Sequence, residues 1–241
     1  MKLKPNSILL FQGDSVTDCY RDRENDNDLG NSYVPMIYEY LKQYNIKVIN
    51  RAIAGNKVNN LLDRFDKDFK DVNPDNIVLL IGVNDTWHDF PNPKSTKQFK
   101  NELDLLLSKI KKEMHCNVML LEPFILGFKE EYTIMRDDLN TKIEVIKELA
   151  IKYNCEYISF EKEFSNVITK ENEEQYSIEG IHPLPLGYKI MADKIIKNIS
   201  IENLGSEWLK ILKVKYWKFR EFLIYFKIVD LINNFLFLIS K

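Results

Sequence analysis

Five short β-type runs recur along this chain at spacings of roughly 30–40 residues, with helical apolar patterns between them. The third run is apolar at every position from Ile77 to Ile81, which is typical of a central parallel strand covered on both faces. This alternation predicts an α/β fold with a five-stranded parallel sheet between two layers of helices. The predicted strands are residues 7–12, 46–50, 76–81, 117–122 and 155–160.

Four segments between and after these runs repeat apolar residues at three- and four-residue steps, the period of an amphipathic helix. One follows Ser95, whose hydroxyl is a suitable N-cap. The predicted helices cover residues 33–44, 99–114, 135–153 and 186–199.

Charge and cysteine content narrow the class of protein. The 241 residues carry a formal net charge of -2, which argues against nucleic acid as the partner because phosphate binding needs a basic surplus. Cys19, Cys116 and Cys155 form no paired spacing, so we expect a reducing compartment without disulfides or a zinc site.

The apolar run before Gly13 is too short for a signal peptide, and no apolar stretch reaches the ~18–20 residues of a membrane span. These patterns predict a cytoplasmic location.

Chemically useful residues follow three of the predicted strands. The first strand leads to Asp14 and Ser15, the second to Gly55 and Asn56, and the third to Asn84 and Asp85. Because ligands bind beyond the carboxyl ends of the strands in open α/β sheets, we expect these groups to converge on one rim.

Ser15 is either a nucleophile or a turn and N-cap serine. A nucleophilic serine needs a base, and the histidines are His88, His115 and His182. His115 closes a predicted helix, as a surface or structural histidine would. His88 could line the same rim as Ser15. His182 lies in a loop rich in Gly and Pro, and Glu179, three residues earlier, could orient its imidazole.

An acyl-transfer site also needs hydrogen-bond donors for the developing oxyanion. The backbone N–H groups of Ser15 and Gly55 and the side-chain amide of Asn84 could supply them. Taken singly, Gly55 and Asn84 are equally well explained as turn residues.

Together, four blocks resemble the SGNH hydrolases, also called the GDSL esterase/lipase family, over roughly residues 5–200. They are Gly13-Asp14-Ser15, the block ending at Gly55, Gly82-Val83-Asn84-Asp85 and Glu179-Gly180-Ile181-His182-Pro183. The resemblance implies a three-layer flavodoxin-like α/β/α sandwich with no metal or organic cofactor. It also implies that Ser15 is the nucleophile, His182 the base, and Ser15, Gly55 and Asn84 the oxyanion hole.

Segments 14–21, 29–34, 54–56 and 84–87 further resemble the branch of carbohydrate acetylesterases, such as acetylxylan esterases. By that resemblance, the substrate-binding residues are Asp14, Arg21, Asn56, Asp85 and Trp87. One departure is Glu179, where the family pattern has aspartate. Its extra methylene requires the carboxylate to fold back, or the loop to shift, to reach His182.

Residues 204–241 are predicted to form an amphipathic helical extension after a hydrolase domain of residues 1–203. From residue 206 onward the chain has seven Lys or Arg residues against three Asp or Glu, and an aromatic apolar face that includes Trp208 and Phe219. Such a segment could pack on the core or on a second copy of the chain. Alternatively, residues 206–239 could lie on an anionic membrane surface.

These patterns lead to the hypothesis of a serine esterase that hydrolyses short acyl esters, chiefly acetyl esters, of a carbohydrate. The expected partner is a small-molecule or saccharide ester. Three alternatives stay open: a lipase or thioesterase acting on lipid acyl esters, an enzyme that transfers the acyl group to a sugar, and a catalytically impaired protein that binds a membrane or a partner.

Overall fold

The structure is a computed structural model that describes residues 1–25, 27–177 and 179–202. Residues Met1–Ser200 form one compact unit. The predicted boundary after residue 203, the extension 204–241 and its contact surface 206–239 lie outside the described residues and stay predictions. Within the described part, no helix is both long and apolar enough to cross a membrane.

The regular elements alternate as the sequence predicts. The strands are β1 (Lys2–Leu3), β2 (Ile8–Gly13), β3 (Lys47–Asn50), β4 (Asn76–Leu80), β5 (Asn117–Leu121), β6 (Glu156–Ile158) and β7 (Ser200–Ile201). The α-helices are α1 (Ser15–Asp18), α2 (Tyr33–Leu41), α3 (Val58–Asp63), α4 (Asn84–Trp87), α5 (Thr96–Glu113), α6 (Glu130–Lys152), α7 (Glu161–Ser165) and α8 (Pro185–Lys197). Shorter helical turns span Lys42–Tyr44, Asp66–Lys70 and Glu173–Gln175.

The central sheet has five parallel strands in the order β3-β2-β4-β5-β6. This is the flavodoxin-like order, so the predicted fold class is confirmed. The strand order reverses between β2 and β4, and in doubly wound sheets the crevice at such a reversal is where ligands bind. The segments after β2 and β4 both begin at that crevice.

The strand β4 is buried at all five positions, and four of them belong to the apolar run from Ile77 to Ile81 that predicts a central strand. Side chains on one side of the sheet, among them Ile77 and Leu79, pack against buried residues of α5 such as Leu103 and Leu106. On the other side, the ring of Phe11 meets that of Tyr33 edge-on, with centroids 5.9 Å apart. Burial on both faces fixes β2 and β4 as the rigid frame of the crevice.

The predicted boundaries differ from the observed ones by up to five residues, and two differences are instructive. The strand β6 keeps only Glu156–Ile158 of the predicted residues 155–160, because it is an edge strand that pairs with β5 alone. After β4, where no helix was predicted, the short helix α4 forms, and its Trp87 N–H donates to Val83 O at 2.8 Å. The predicted cap of α5 is present, because Gln98 N–H donates to Ser95 Oγ at 3.2 Å.

Candidate active site

Ser15 is the first residue of α1, directly after the turn that ends β2. The cap of this helix is Asp14, whose Oδ1 accepts the Val16 N–H at 3.0 Å, so the N-cap role considered for Ser15 belongs to its neighbour. Gly13 makes the turn possible, because a Cβ there would lie 2.2 Å from Leu80 O. The serine is therefore held at the crevice between β2 and β4.

The loop before α8 brings an imidazole to this serine. His182 Nε2 lies 2.7 Å from Ser15 Oγ, and His182 Nδ1 contacts Glu179 Oε1. The same carboxylate oxygen accepts the backbone N–H of His182 at 2.8 Å. Glu179 thus folds back within its own turn, which accommodates the extra methylene and joins the serine, imidazole and carboxylate in one chain of contacts.

This loop is anchored from behind by the segment that follows β5. Leu126 N–H donates to Gly180 O at 2.6 Å. Gly180 has a φ of +77°, and a Cβ there would lie 2.5 Å from Leu126 O, so a side chain would break this contact. This close contact between Gly180 and Leu126 fixes the backbone between Glu179 and His182.

The other histidines lie elsewhere. His88 is exposed at the end of α4, and its Cε1 approaches the Cβ direction of Gly55 at 3.4 Å. Its ring contacts Trp87, which also meets His182 edge-on at 5.9 Å between centroids. His115 is exposed just before β5, at the opposite end of the sheet. Of the three, His182 is the one that contacts Ser15.

The three predicted oxyanion donors lie on the segments that follow β2, β3 and β4. Ser15 N–H belongs to the first turn of α1, where backbone N–H groups have no acceptor within the helix. Asn84 is fully buried at the start of α4, and its Nδ2 donates to Asn56 O at 3.0 Å. That bond fixes the amide and leaves it a second N–H. Gly55 precedes Asn56, so its N–H lies in the same short segment.

Two buried carboxylates lie beneath the crevice. Asp14 is fully buried, and this desolvation, with a smaller contribution from nearby Asp85, raises its pKa from 3.8 to about 7. Burial also raises the pKa of Asp85, although its Oδ1 pairs with Lys94 Nζ at 2.5 Å. Lys94 pairs in turn with Glu102 at 2.5 Å. These contacts tie α4 to the start of α5.

A cavity of about 460 Å³ opens beside the serine and the imidazole. Its walls combine charged and aromatic side chains, contributed by Asp18, Tyr20, Arg21, Arg23 and Tyr188. Asp18 and Arg23 are additions that sequence reasoning missed. For Asp18, the spacing in the sequence could have indicated this position, since it is three residues after Ser15 and therefore on the same side of α1.

The five residues predicted to bind substrate fall into two groups. Arg21 lines the cavity, and Trp87 packs on the imidazole. The side chains of the other three make contacts within the protein. Asp14 caps α1, Asn56 Oδ1 accepts Arg64 Nε at 2.9 Å, and Asp85 pairs with Lys94. Among the described residues, no three His, Cys, Asp or Glu side chains converge as metal ligands.

Comparison with known proteins agrees with this arrangement. A profile of the GDSL-like lipase/acylhydrolase family matches residues 11–190. An acetylxylan esterase of Geobacillus stearothermophilus is 28% identical over 223 residues, which cover 87% of this chain and 99% of that protein. The crystal structure of Axe2, an acetylxylan esterase from Geobacillus stearothermophilus, matches with a TM-score of 0.74 and 26% identity over 86% of this chain and 100% of that one.

A candidate GDSL-like lipase from Parabacteroides merdae matches with a TM-score of 0.75 and 29% identity, covering 81% of this chain and 96% of that one. The Geobacillus esterase has also been solved as catalytic mutants in which a serine or an aspartate is replaced by alanine. The matched residues 11–190 include all four sequence blocks, so the predicted resemblance is confirmed. The chain therefore belongs to the GDSL-like lipase/acylhydrolase family, whose members are carboxylic ester hydrolases.

Proposed function

We propose that this protein is a serine esterase that removes short acyl groups, chiefly acetyl, from a carbohydrate through an acyl-enzyme at Ser15. The observation that carries the proposal is the 2.7 Å contact between Ser15 Oγ and His182 Nε2, with Glu179 on the far side of the imidazole. A serine in reach of an oriented imidazole is the arrangement that activates a hydroxyl as a nucleophile.

In the first half-reaction, Ser15 Oγ attacks the ester carbonyl carbon while His182 Nε2 takes the hydroxyl proton. Glu179 holds the imidazole by its Nδ1 and stabilises the imidazolium that forms. The N–H groups of Ser15, Gly55 and Asn84 stabilise the oxyanion. Collapse of the tetrahedral intermediate breaks the ester C–O bond, and His182 gives its proton to the departing alcohol.

In the second half-reaction, a water molecule takes the place of the alcohol. His182 removes a proton from this water as it attacks the acyl carbon. The resulting intermediate expels Ser15 Oγ, which recovers its proton from His182. The products are the carboxylic acid and the free enzyme.

The residues that line the cavity favour a polar alcohol as the leaving group. Asp18, Arg21 and Arg23 supply charged hydrogen-bonding groups, and Tyr20 and Tyr188 supply aromatic surface. Ligand pockets typically combine such apolar surface with a few placed polar groups that set orientation. Similarity to an acetylxylan esterase adds support for an acetylated sugar as the substrate. The free Cys19, Cys116 and Cys155 support action in the reducing cytoplasm.

The direct test is hydrolysis of an aryl acetate and of a panel of acetylated saccharides by the wild type and Ser15→Ala. We expect the variant to lose both activities. Ser108→Ala, in the middle of α5, is a matched control that removes a hydroxyl far from the crevice and should keep full turnover. Undiminished turnover by Ser15→Ala would contradict the proposal.

Acyl-chain length separates the esterase from the lipid-directed alternative. With a series of aryl esters, we expect the highest kcat/KM for acetyl and a steady fall with chain length. A maximum at acyl chains of about eight carbons or more would instead favour a lipase or thioesterase. Acetate release in the presence and absence of free sugars then distinguishes hydrolysis from transfer.

A further inference from the structure

Two charged side chains of the cavity have polar atoms without a partner. Arg21 and Asp18 are almost completely buried, with side-chain exposures of 3% and 2%. Within residues 1–202 as described, Arg21 Nε, Arg21 Nη1 and Asp18 Oδ1 have no hydrogen-bond partner. Both side chains nevertheless line the catalytic cavity. Buried polar atoms of this kind are costly unless a further group satisfies them.

The separation of the two groups fits a third atom between them. Arg21 Nε and Asp18 Oδ1 are 3.9 Å apart, which is too long for a direct hydrogen bond. An oxygen placed about 2.8 Å from both would complete a hydrogen bond to each. A hydroxyl suits this position because it accepts from the guanidinium and donates to the carboxylate. An anion would satisfy Arg21 but be repelled by Asp18.

The remaining atoms of both side chains are held by the protein. Asp18 Oδ2 accepts Ala54 N–H at 2.9 Å and Arg23 Nη2 at 2.5 Å, and Arg21 Nη2 donates to Ala52 O at 3.3 Å. The donor and the acceptor are therefore fixed before substrate arrives. Such preorganisation lowers the entropy lost on binding.

The pair also lies close to the nucleophile. Ser15 and Asp18 are the first and last residues of α1, and residues three apart on a helix have Cβ atoms about 5–6 Å apart on the same side. This distance suits an ester and a free hydroxyl on the same sugar ring.

We propose that Asp18 and Arg21 form a hydroxyl-binding subsite that recognises a free hydroxyl on the sugar ring carrying the scissile ester. The proposal rests on the proposed function, since it assigns the saccharide specificity of the same cavity. The pair positions the substrate and takes no part in the bond-breaking steps. It selects hydroxylated esters over esters of the same size that lack the hydroxyl.

The test compares a monoacetylated pyranoside, its deoxy analogues lacking one ring hydroxyl each, and an aryl acetate. For the wild type, we expect removal of one particular hydroxyl to lower kcat/KM by about 10–100-fold. Asp18→Asn and Arg21→Gln should each remove most of that preference. Their kcat/KM for the aryl acetate, which has no hydroxyl, should fall by a clearly smaller factor than their kcat/KM for the pyranoside.

Asp104→Asn is the matched control, because it also neutralises a carboxylate that accepts from a lysine and a tyrosine, on α5 away from the cavity. Asp104→Asn should keep the wild-type preference for the pyranoside over the deoxy analogue. An equal loss of kcat/KM on the pyranoside and on the aryl acetate in both variants would overturn the proposal. It would mean that Asp18 and Arg21 only hold the structure of the site and do not recognise a hydroxyl. A wild type indifferent to every hydroxyl would also overturn it. Failure of the proposed function is distinct, since it appears as ester hydrolysis that survives Ser15→Ala.

Discussion

The two sides of the candidate active site are built differently. On the sheet side, Asp14 and Asn84 are completely buried at the ends of β2 and β4. On the loop side, the side chains of His182 and Glu179 are 37% and 42% exposed. The proposed nucleophile Ser15 and the proposed oxyanion donor Asn84 therefore lie next to the rigid sheet, whereas the proposed base His182 depends on a few contacts of a surface loop.

This difference predicts where substitutions act. A change on the sheet side alters the frame, so it affects folding as well as rate. A change of the half-exposed Glu179 side chain alters the orientation of His182 and leaves the frame intact. Kinetics measured together with stability can separate the two sides.

The largest expected effect comes from the contact between Ser15 and His182, which joins the two sides. Ser15→Ala and His182→Ala should each lower kcat on an aryl acetate by roughly 10⁴–10⁶-fold, and the double variant should lose little more, because the two groups act as a unit. Steady-state kinetics of the three variants measure this. Additive losses would mean that the 2.7 Å contact between them does not operate in catalysis.

The next effect belongs to the loop side alone. Glu179→Gln should lower kcat by roughly 10²–10⁴-fold, because a neutral amide does not stabilise the imidazolium as the carboxylate does. Glu179→Asp should recover much of the rate if the shorter side chain still reaches Nδ1 of His182. Glu174→Gln, an exposed neighbour in the preceding turn, is the control and should be neutral. Wild-type kcat in Glu179→Gln would show that the serine and imidazole work as a dyad.

A smaller loss in rate is expected on the sheet side. Asn84→Ala should lower kcat by about 10²–10³-fold, the usual effect of removing one oxyanion donor. It should also lower stability, since it deletes the buried hydrogen bond to Asn56 O. Kinetics and urea denaturation of the same preparation measure both. A loss of rate without any loss of stability would contradict the contrast between the two sides.

The smallest effect concerns stability and its pH dependence. Folded Asp14 keeps its proton up to about pH 7, whereas the unfolded chain releases it near pH 4, so the folded state binds more protons in between and stability falls as pH rises. Asp14→Asn keeps an acceptor for Val16 N–H and cannot ionise.

The stability of Asp14→Asn relative to wild type should therefore increase by roughly 2–4 kcal/mol between pH 4 and pH 8. Urea denaturation at both pH values measures this difference. Asp63→Asn, at an exposed position of α3, is the control and should show little change. A relative stability of Asp14→Asn that falls with pH would contradict the raised pKa of the buried carboxyl.

The sequence predicts features that depend on local patterns better than features that depend on tertiary contacts. The buried run of β4 and the block at Ser15 are local patterns, so strands, nucleophile and rim follow from them. The shortening of β6 and the helix α4 depend on tertiary contacts that no local pattern contains. The same holds for Asp14, which the branch resemblance assigned to substrate binding and which here caps α1. The 3.9 Å distance between Arg21 Nε and Asp18 Oδ1 depends on the hydrogen bonds that Ala52 O and Ala54 N–H make to these side chains. The fold sets those hydrogen bonds, so the local sequence does not predict the distance.

The contact between Gly13 and Leu80 has a consequence for how this enzyme can change over time. Any side chain at Gly13 would force β2 and β4 apart and would separate Ser15 from Asn84 in the same step. A substitution at Gly13 would therefore damage the whole chemical centre, and not one of its groups alone. New substrate preferences must arise from residues that can vary independently of this contact, such as Tyr20 and Arg23 on the cavity wall. The choice of ester can therefore change while Ser15, His182 and the sheet that frames them stay in place.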